Sequence, residues 1–234
     1  MKIQGAWPWY RFVAWLFRYG IFGTLGGVTV RHADRVPMEG PVIVAPVHVS
    51  HFDPPLMGAT FPRVLRTMAK KELFFPPLGW LIRSIGVYPV NRGEADSSAI
   101  RTTLAVLEAG ESALLFPEGT RGDGVTLGPI QPGIALFARK TGAKIVPVGL
   151  AGTAAILPKG KKFPRRSKCT VVFGEPFSYA DLVAELGEKE AKKQFSDILA
   201  QRLAAACAEA GFPVALPPKQ EKSLPSGPDQ NRAE

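Results

Sequence analysis

The sequence predicts an α/β domain, built on a mainly parallel central sheet flanked by helices and preceded by an N-terminal membrane-associating helical segment. Two observations lead to this fold class. Short apolar runs bounded by Gly and Pro alternate along the chain with longer segments of helical periodicity. The first 27 residues also hold three of the four tryptophans. With 46% of its 234 residues apolar, the chain can bury a sizeable core, which excludes wholesale disorder.

Residues 1–27 form the first predicted unit, an aromatic helical segment that associates with a membrane. Its stretch "AWPWYRFVAWLFRYGIFGTLGG" contains Arg11 and Arg18. An arginine at mid-bilayer costs about 2.5–3.5 kcal/mol, so a spanning helix is disfavoured. Trp, Tyr and Arg favour the headgroup zone, and we expect a monotopic or peripheral protein on the cytoplasmic face of the cell membrane. The alternative is a core helix of a soluble domain.

Residues 28–213 form the second predicted unit. Six runs are typical of short buried strands: "PVIVAP", "VLRTMA", "VYPV", "SALLFP", "KIVPVGL" and "CTVVFG". Three segments between them favour helices: "KELFFPPLGWLIRSIG", "SSAIRTTLAVLEAG" and "QPGIALFARKTG". A single long helical pattern runs from Ser178 to Gly211 and opens with a capping box in "SYAD". Residues 214–234, rich in Pro, Lys, Ser and Gln, predict a disordered tail.

The net charge of +9 favours an anionic partner, which could be a phosphate compound, nucleic acid or an acidic membrane surface. A solvated basic surface with no partner is the alternative. The two cysteines, Cys169 and Cys207, lie far apart and have no metal-type spacing. They indicate a reducing compartment and ordinary packing roles.

The stretch "HVSHFDPP", residues 48–55, follows the predicted strand "PVIVAP". His48 and Asp53 would lie about 140° apart on a regular helix, so a direct contact between them requires a turn. A histidine with one ring nitrogen held by a carboxylate can accept a proton from a hydroxyl at the other. A purely structural hydrogen bond is the alternative. We predict no metal site, because His48, His51 and Asp53 have no cysteine or histidine cluster to complete them.

Four cations, Lys70, Lys71, Arg92 and Arg121, follow predicted strands. Because the carboxyl ends of parallel strands share one edge of a sheet, these side chains could converge into an anion site. Each could instead be a solvated surface charge.

The loop "FPEGTR" contributes Glu118, Gly119, Thr120 and Arg121. Glycine permits close backbone approach, and arginine can bind phosphate with two nitrogens. A charged hairpin-like loop is the alternative interpretation.

The blocks "HVSHFD", "GVYPVNR", "FPEGTR" and "VPVGL" occur in the order and approximate spacing of one known family. The chain resembles the 1-acylglycerol-3-phosphate acyltransferase (PlsC-like) glycerolipid acyltransferases from about residue 28 to 176. The family usually has Asn before the histidine, whereas this chain has Val47. The resemblance implies that residues 28–213 are an acyltransferase domain.

The resemblance implies transfer of a fatty acyl group from acyl-CoA or acyl carrier protein to the sn-2 hydroxyl of lysophosphatidic acid, which gives phosphatidic acid. No cofactor is implied beyond this acyl co-substrate. His48 would act as the base and Asp53 would orient it. Arg92 would bind the acceptor phosphate. The remaining predicted acceptor-binding residues are Glu118, Gly119, Thr120, Arg121 and, mainly from their charge, Lys70 and Lys71.

Other functions remain open from the sequence. The acceptor could be another lysophospholipid or a glycolipid, or the His–Asp pair could activate water in a lipid hydrolase. The chain lacks the G-x-S-x-G nucleophile motif of many hydrolases. A non-enzymatic module that binds acidic membranes or nucleic acid ranks last. We expect an anionic membrane surface and no nucleic acid among its partners, because no basic stacking motif is evident.

Overall fold

The computed structural model describes residues 7–90, 97–158 and 163–217. Within these ranges, seven strands form one sheet in the order β1-β7-β6-β2-β5-β3-β4. The strands are β1 (Val28–Arg31), β2 (Val42–Pro46), β3 (Leu65–Lys70), β4 (Val87–Val90), β5 (Ser112–Leu114), β6 (Lys144–Ala151) and β7 (Cys169–Phe173).

The sheet is mainly parallel, as predicted. Strands β6, β2, β5, β3 and β4 pair in parallel, whereas β7 pairs antiparallel with β6, and β1 pairs parallel with β7. All six predicted strands are confirmed. Strand β1 was not predicted, although Gly26 and Gly27, both with positive φ, separate it from the N-terminal segment, because the run "VTVR" is only four residues long and only partly apolar.

Strand β2 lies at the centre of the sheet and is buried on both faces. Val42 and Val44 belong to a core with helical residues from both halves of the chain, including Leu56 and Leu203. Ile43 and Ala45 belong to a second core on the opposite face. Burial on both faces explains why β2 is a continuous apolar run without alternation.

The helices are α1 (Pro8–Trp15), α2 (Phe22–Thr24), α3 (Asp53–Thr60), α4 (Leu78–Ser84), α5 (Ser97–Glu108), α6 (Gly133–Thr141), α7 (Thr153–Ile156), α8 (Tyr179–Leu186) and α9 (Glu188–Ala210). A π-helical turn, Leu16–Ile21, joins α1 to α2. A 3₁₀ turn, Lys71–Leu73, precedes α4, and a second, Ala33–Arg35, follows β1. The three helices predicted between strands are present as α4, α5 and α6.

The prediction of one continuous helix from Ser178 to Gly211 is wrong, because the structure has two helices in this range. The chain breaks at Gly187, whose φ of 78° and ψ of 155° are not helical, and α8 and α9 are separate helices. Glycine adopts a positive φ without steric cost, so it ends α8 where the apolar periodicity alone showed no boundary. The capping box is confirmed, with Ser178 and Asp181 each accepting a hydrogen bond from the other's backbone amide.

No helix in the described ranges combines the length and apolar character that crossing a membrane requires. At the other end of the chain, Ala215 lies in the predicted tail but exchanges backbone hydrogen bonds with the loop at Val125 and Leu127. Ordered structure thus extends beyond the boundary drawn at residue 214. Residues 218–234 lie outside the described residues, so the predicted disorder there stays a prediction.

Candidate active site

His48 and Asp53 form a buried pair at the carboxyl edge of the sheet. His48 lies two residues beyond β2, and Asp53 is the first residue of α3. The Nδ1 atom of His48 lies 2.9 Å from Oδ2 of Asp53. His48 is 7% exposed and Asp53 is fully buried. The predicted contact is therefore present, and a turn between strand and helix produces it.

The carboxylate of Asp53 also fixes the backbone of this turn. Its Oδ2 atom accepts hydrogen bonds from the amides of Val49 and Ser50, each 2.7 Å long. Three donors therefore converge on one oxygen. The hydroxyl of Ser50 accepts from the amide of Phe52 and donates to the carbonyl of Thr153, which ties this turn to the chain after β6.

Pro54 and Pro55 lie in the first turn of α3, directly after Asp53. Proline is tolerated in a first helical turn, because amides there have no intrahelical partner. The two prolines thus place the carboxylate of Asp53 at the start of a helix, where the helix dipole favours negative charge.

The imidazole of His48 stacks on the ring of Phe116, with centroids 3.8 Å apart and planes 23° from parallel. Phe116 follows β5 and lines the same cavity as His48. Sequence reasoning missed this residue, because in "SALLFP" it reads as one more apolar strand residue. Asp53 on one side and Phe116 on the other fix the orientation of the imidazole.

Glu118 is a buried residue that binds the backbone of the turn containing His48. It is only 6% exposed. Its Oε1 atom accepts from the amide of His48 at 3.4 Å, and its Oε2 atom accepts from the amide of Gly128 at 3.2 Å. Burial raises the pKa of Glu118, and these amide hydrogen bonds partly offset the rise. Glu118 is not among the residues that line the adjacent cavity, so its predicted contact with the acceptor remains a prediction.

A cavity of about 1000 Å³ opens beside His48. Its polar end holds side chains at or just beyond the carboxyl ends of β2, β3 and β5, in which two cations outnumber one acid: His48, His51, Lys70, Glu72, Thr120 and Arg121. Its remaining walls are predominantly apolar and come from α1, α4, α5, α6 and the strands between them, including Val13, Phe17, Leu78, Ile82, Ile85, Val87, Ile100, Ile134 and Phe137. The cavity thus joins a cationic mouth to an apolar interior.

The predicted substrate-binding residues occupy different positions in this arrangement. Lys70, Gly119, Thr120 and Arg121 line the cavity. Lys71 is exposed in the 3₁₀ turn after β3 and is not part of the lining. Arg92 lies outside the described residues, so its role stays a prediction.

Sequence reasoning gave His51 no catalytic role, yet it lines the polar end of the cavity. Burial and the nearby positive charge of Arg121 lower the pKa of His51. The lowered pKa favours the neutral form of His51, so the positive charge at this end of the cavity comes from Lys70 and Arg121.

Val47, at the position where the family usually has Asn, is buried in the core that contains Leu114 and Val148. Its amide donates to the carbonyl of Val148. The side chain packs among apolar residues, and the His48–Asp53 contact forms without an amide side chain at this position.

In the part of the chain that the structure describes, no group of three or more His, Cys, Asp or Glu residues could hold a metal ion.

Comparison with known proteins identifies the family. Residues 27–151 match the model of the acyltransferase family. The chain belongs to this family. The matched segment includes the His48–Asp53 turn and the loop from Glu118 to Arg121. The family resemblance read from the sequence is therefore confirmed, and the chain is an acyltransferase.

Individual relatives agree with this assignment. The acyltransferase is 30% identical over 185 residues to the 1-acyl-sn-glycerol-3-phosphate acyltransferase of Bacillus subtilis. The aligned residues cover 78% of this chain and 89% of that protein. It is 35% identical over 124 residues to a lyso-ornithine lipid O-acyltransferase of Pseudomonas aeruginosa, over 52% and 47% of the two chains. The crystal structure of the 1-acyl-sn-glycerophosphate acyltransferase PlsC from Thermotoga maritima superposes with a TM-score of 0.68 at 27% identity, over 83% and 78% of the chains.

Proposed function

We propose that this acyltransferase moves a fatty acyl group from acyl-CoA or acyl carrier protein to the sn-2 hydroxyl of 1-acylglycerol-3-phosphate and produces phosphatidic acid. The observation that carries the proposal is the His48–Asp53 pair at the cationic mouth of a large apolar cavity. Such a cavity suits acyl chains, and its mouth suits an alcohol that bears a phosphate. The names of relatives in B. subtilis and T. maritima give the same kind of acceptor.

The pair supplies general base catalysis. Asp53 accepts a hydrogen bond from Nδ1–H of His48, which leaves Nε2 to take the proton from the sn-2 hydroxyl. The hydroxyl oxygen forms a bond to the thioester carbonyl carbon as it loses its proton. The carbon–sulfur bond then breaks, and the departing sulfur takes the proton from Nε2 of His48. The acceptor alcohol is itself the nucleophile, so the reaction forms no acyl-enzyme.

The cationic mouth would hold the acceptor phosphate. Arg121 and Lys70 both line the cavity with His48, and a guanidinium can bind two phosphate oxygens at once. Gly119 has a φ of 70°, which favours glycine and allows the loop to turn beside the cavity. Thr120 adds a hydroxyl at the same position. Arg92, which the family resemblance assigns to the phosphate, would complete this site.

The N-terminal segment would keep the enzyme on its lipid acceptor. In α1 and the π-helical turn, Phe12, Trp15 and Tyr19 are each at least half exposed. Exposed aromatic side chains together with Arg11 suit the headgroup zone of a bilayer. The net charge of +9 favours an anionic leaflet. We therefore propose that the enzyme associates with the cytoplasmic face of the cell membrane.

His48→Ala tests the proposal. Loss of the general base should reduce kcat by about 10²–10⁴-fold with little change in membrane binding. His32→Ala is the matched control, because His32 is a partly exposed histidine that pairs with Glu209 and does not line the cavity. Product formation is followed by mass spectrometry with purified protein, lysophosphatidic acid and both donor types. Wild-type turnover in His48→Ala would refute the assignment of the base.

The P. aeruginosa relative favours one second candidate, a lysolipid acceptor without a phosphomonoester. A panel that includes lysophosphatidic acid and a lyso-ornithine lipid separates the two. Preference for lysophosphatidic acid supports the phosphate site at Arg121. Release of free fatty acid when no acceptor is present would instead indicate hydrolysis by the same pair.

A further inference from the structure

We propose that α4 forms a second membrane-docking element, which joins α1 in one aromatic surface that lies on a lipid leaflet. The inference rests on the proposed function, because a lipid acceptor reaches the enzyme from a bilayer. Sequence reasoning treated α4 only as a helix between two strands. Trp80 of α4 is 71% exposed, more than any aromatic residue of α1.

Trp80 begins a continuous row of aromatic rings. Its ring centroid lies 6.4 Å from that of Trp9 in α1. The row continues from Trp9 to Phe12, Trp15 and Tyr19, with centroid distances of 5.7, 6.4 and 6.2 Å. All five side chains are exposed. The row therefore crosses from α4 to α1 without a break and forms one outward surface, which we call the aromatic row.

A hydrogen bond fixes the two helices to each other. The indole Nε1 of Trp9 donates to the hydroxyl of Ser84 at 2.8 Å, and that hydroxyl donates to the carbonyl of Leu81. Trp9 belongs to α1, and Ser84 is the last residue of α4. The aromatic row is thus held in one arrangement by a contact between helices.

The same two helices line the apolar cavity with other residues. Val13 and Phe17 contribute from the N-terminal segment, and Leu81 and Ile82 contribute from α4. Both elements are therefore apolar toward the cavity while they expose aromatic rings elsewhere. An apolar surface of this extent is typical of a binding surface, and here it lies beside the cavity that would receive acyl chains.

The charges nearby favour a lipid leaflet as the occupant. Residues 7–24 contain two basic residues, Arg11 and Arg18, and no acidic residue. Residues 70–84 contain Lys70, Lys71 and Arg83 against a single acid, Glu72. Large aromatic side chains among cations complement the headgroups and upper acyl chains of an anionic leaflet. A second copy of the chain would bring the same cations together and repel.

Fluorescent labels at three positions test this surface. Single cysteines replace Trp80 in α4, Tyr19 in the N-terminal segment and Met38 before β2, and each carries an environment-sensitive fluorophore. Met38 is 40% exposed at the sheet edge opposite His48 and is the matched control. The native thiols, Cys169 and Cys207, are fully buried and should not react. Each labelled protein is mixed with phosphatidylcholine vesicles containing a minor fraction of phosphatidylglycerol and acyl chains brominated near the headgroup.

The expected result is strong quenching at positions 80 and 19 and none at 38. Quenching at 19 alone would overturn the inference and leave the N-terminal anchor intact. A signal at position 80 that depends on protein concentration without vesicles would indicate a second copy as the occupant and would also overturn it. Because no substrate is present, this result is independent of the outcome for His48→Ala.

Native Trp80 fluorescence provides a second measurement that leaves α4 unmodified. Trp7 and Trp15 are replaced by Phe, and Trp9 is kept because its indole donates the hydrogen bond to Ser84. The emission of Trp80 is then the difference between this protein and the same protein with Trp80→Phe. Brominated vesicles should quench this tryptophan and shift its emission to shorter wavelength. Emission unchanged by vesicles that do bind the protein would overturn the inference.

Discussion

Two hydrogen-bonded pairs, each with one carboxylate, lie at opposite edges of the sheet and differ in burial. The His48–Asp53 pair, at the carboxyl edge, has side-chain exposures of 8% and 0%. The Arg66–Glu111 pair lies near the amino end of β5, with side-chain exposures of 25% and 37%. Its guanidinium donates to both carboxylate oxygens, at 2.6 and 2.8 Å. The side chain of Asp53 is fully buried, whereas that of Glu111 is partly exposed to solvent.

The difference shows how burial changes what a carboxylate can do. Asp53 receives three hydrogen bonds on one oxygen, two of them from the backbone, so its position is fixed relative to the histidine. Removing a carboxylate from water is unfavourable, and these hydrogen bonds offset that cost. Glu111 is only partly desolvated, and its hydrogen bond to Arg66 lowers its pKa against an opposing effect of burial. We therefore expect changes to the first pair to appear in catalysis and changes to the second in stability.

Asp53→Asn should give the largest effect. The amide preserves the shape of the side chain, but its NH₂ group can face Nδ1 of His48. The imidazole then loses its fixed orientation, and the imidazolium formed during catalysis is no longer stabilised by a carboxylate. We expect kcat to fall on the order of 10²–10³-fold. Single-turnover measurements with purified protein give the chemical step directly. A decrease of less than about threefold would show that Asp53 is only structural.

Arg121→Gln should give the next largest effect, on the acceptor. A charge-assisted hydrogen bond contributes about 1.5–3 kcal/mol, so kcat/KM for lysophosphatidic acid should fall roughly 10- to 100-fold. Transfer to a monoacylglycerol, which has no phosphate, should change much less. The matched control is Arg139→Gln on α6, where the arginine is exposed and is not part of the cavity lining. Equal losses with both acceptors would remove Arg121 from the phosphate site.

Glu118→Gln tests whether Glu118 stabilises the turn that contains His48 or binds the acceptor. The carboxylate accepts from the amides of His48 and Gly128, and a glutamine can accept from only one of them without presenting a donor to the other. Loss of one such hydrogen bond should lower kcat by about tenfold. KM for the acceptor should stay constant if Glu118 acts through His48. A rise in KM at constant kcat would instead place Glu118 in the acceptor pocket.

Glu111→Gln should give the smallest effect and leave kcat unchanged. The partly exposed pair contributes about 0.5 kcal/mol to the free energy of unfolding at neutral pH after solvent screening. The pKa of Glu111 is lowered in the folded protein, so this contribution is present above the unfolded pKa and is lost as pH falls through the folded value. Urea unfolding at several pH values checks it. A stability difference that persists at low pH would contradict the ionic origin.

The sequence determined the architecture and the catalytic pair, and the reasons are local. Buried parallel strands are nearly continuous apolar runs, so β2 to β7 could be found from composition and turn residues. His48 and Asp53 lie five residues apart, and a short turn is enough to join them. By contrast, β1 is only four residues long and includes Thr29 and Arg31, so its composition does not mark a buried strand even though Gly26 and Gly27 precede it. The break between α8 and α9 depends on a single residue, Gly187, inside a continuous apolar period.

Only the tertiary structure decided the positions of side chains that meet across the sheet. Phe116 stacks on His48, and Glu118 accepts the amide of His48, although each is about seventy residues away along the chain. Trp80 joins the aromatic row because α4 packs on α1, and its sequence neighbours do not show which face is exposed. Sequence patterns record which residues are apolar and how they repeat, whereas contacts between distant segments depend on how the sheet orders its strands.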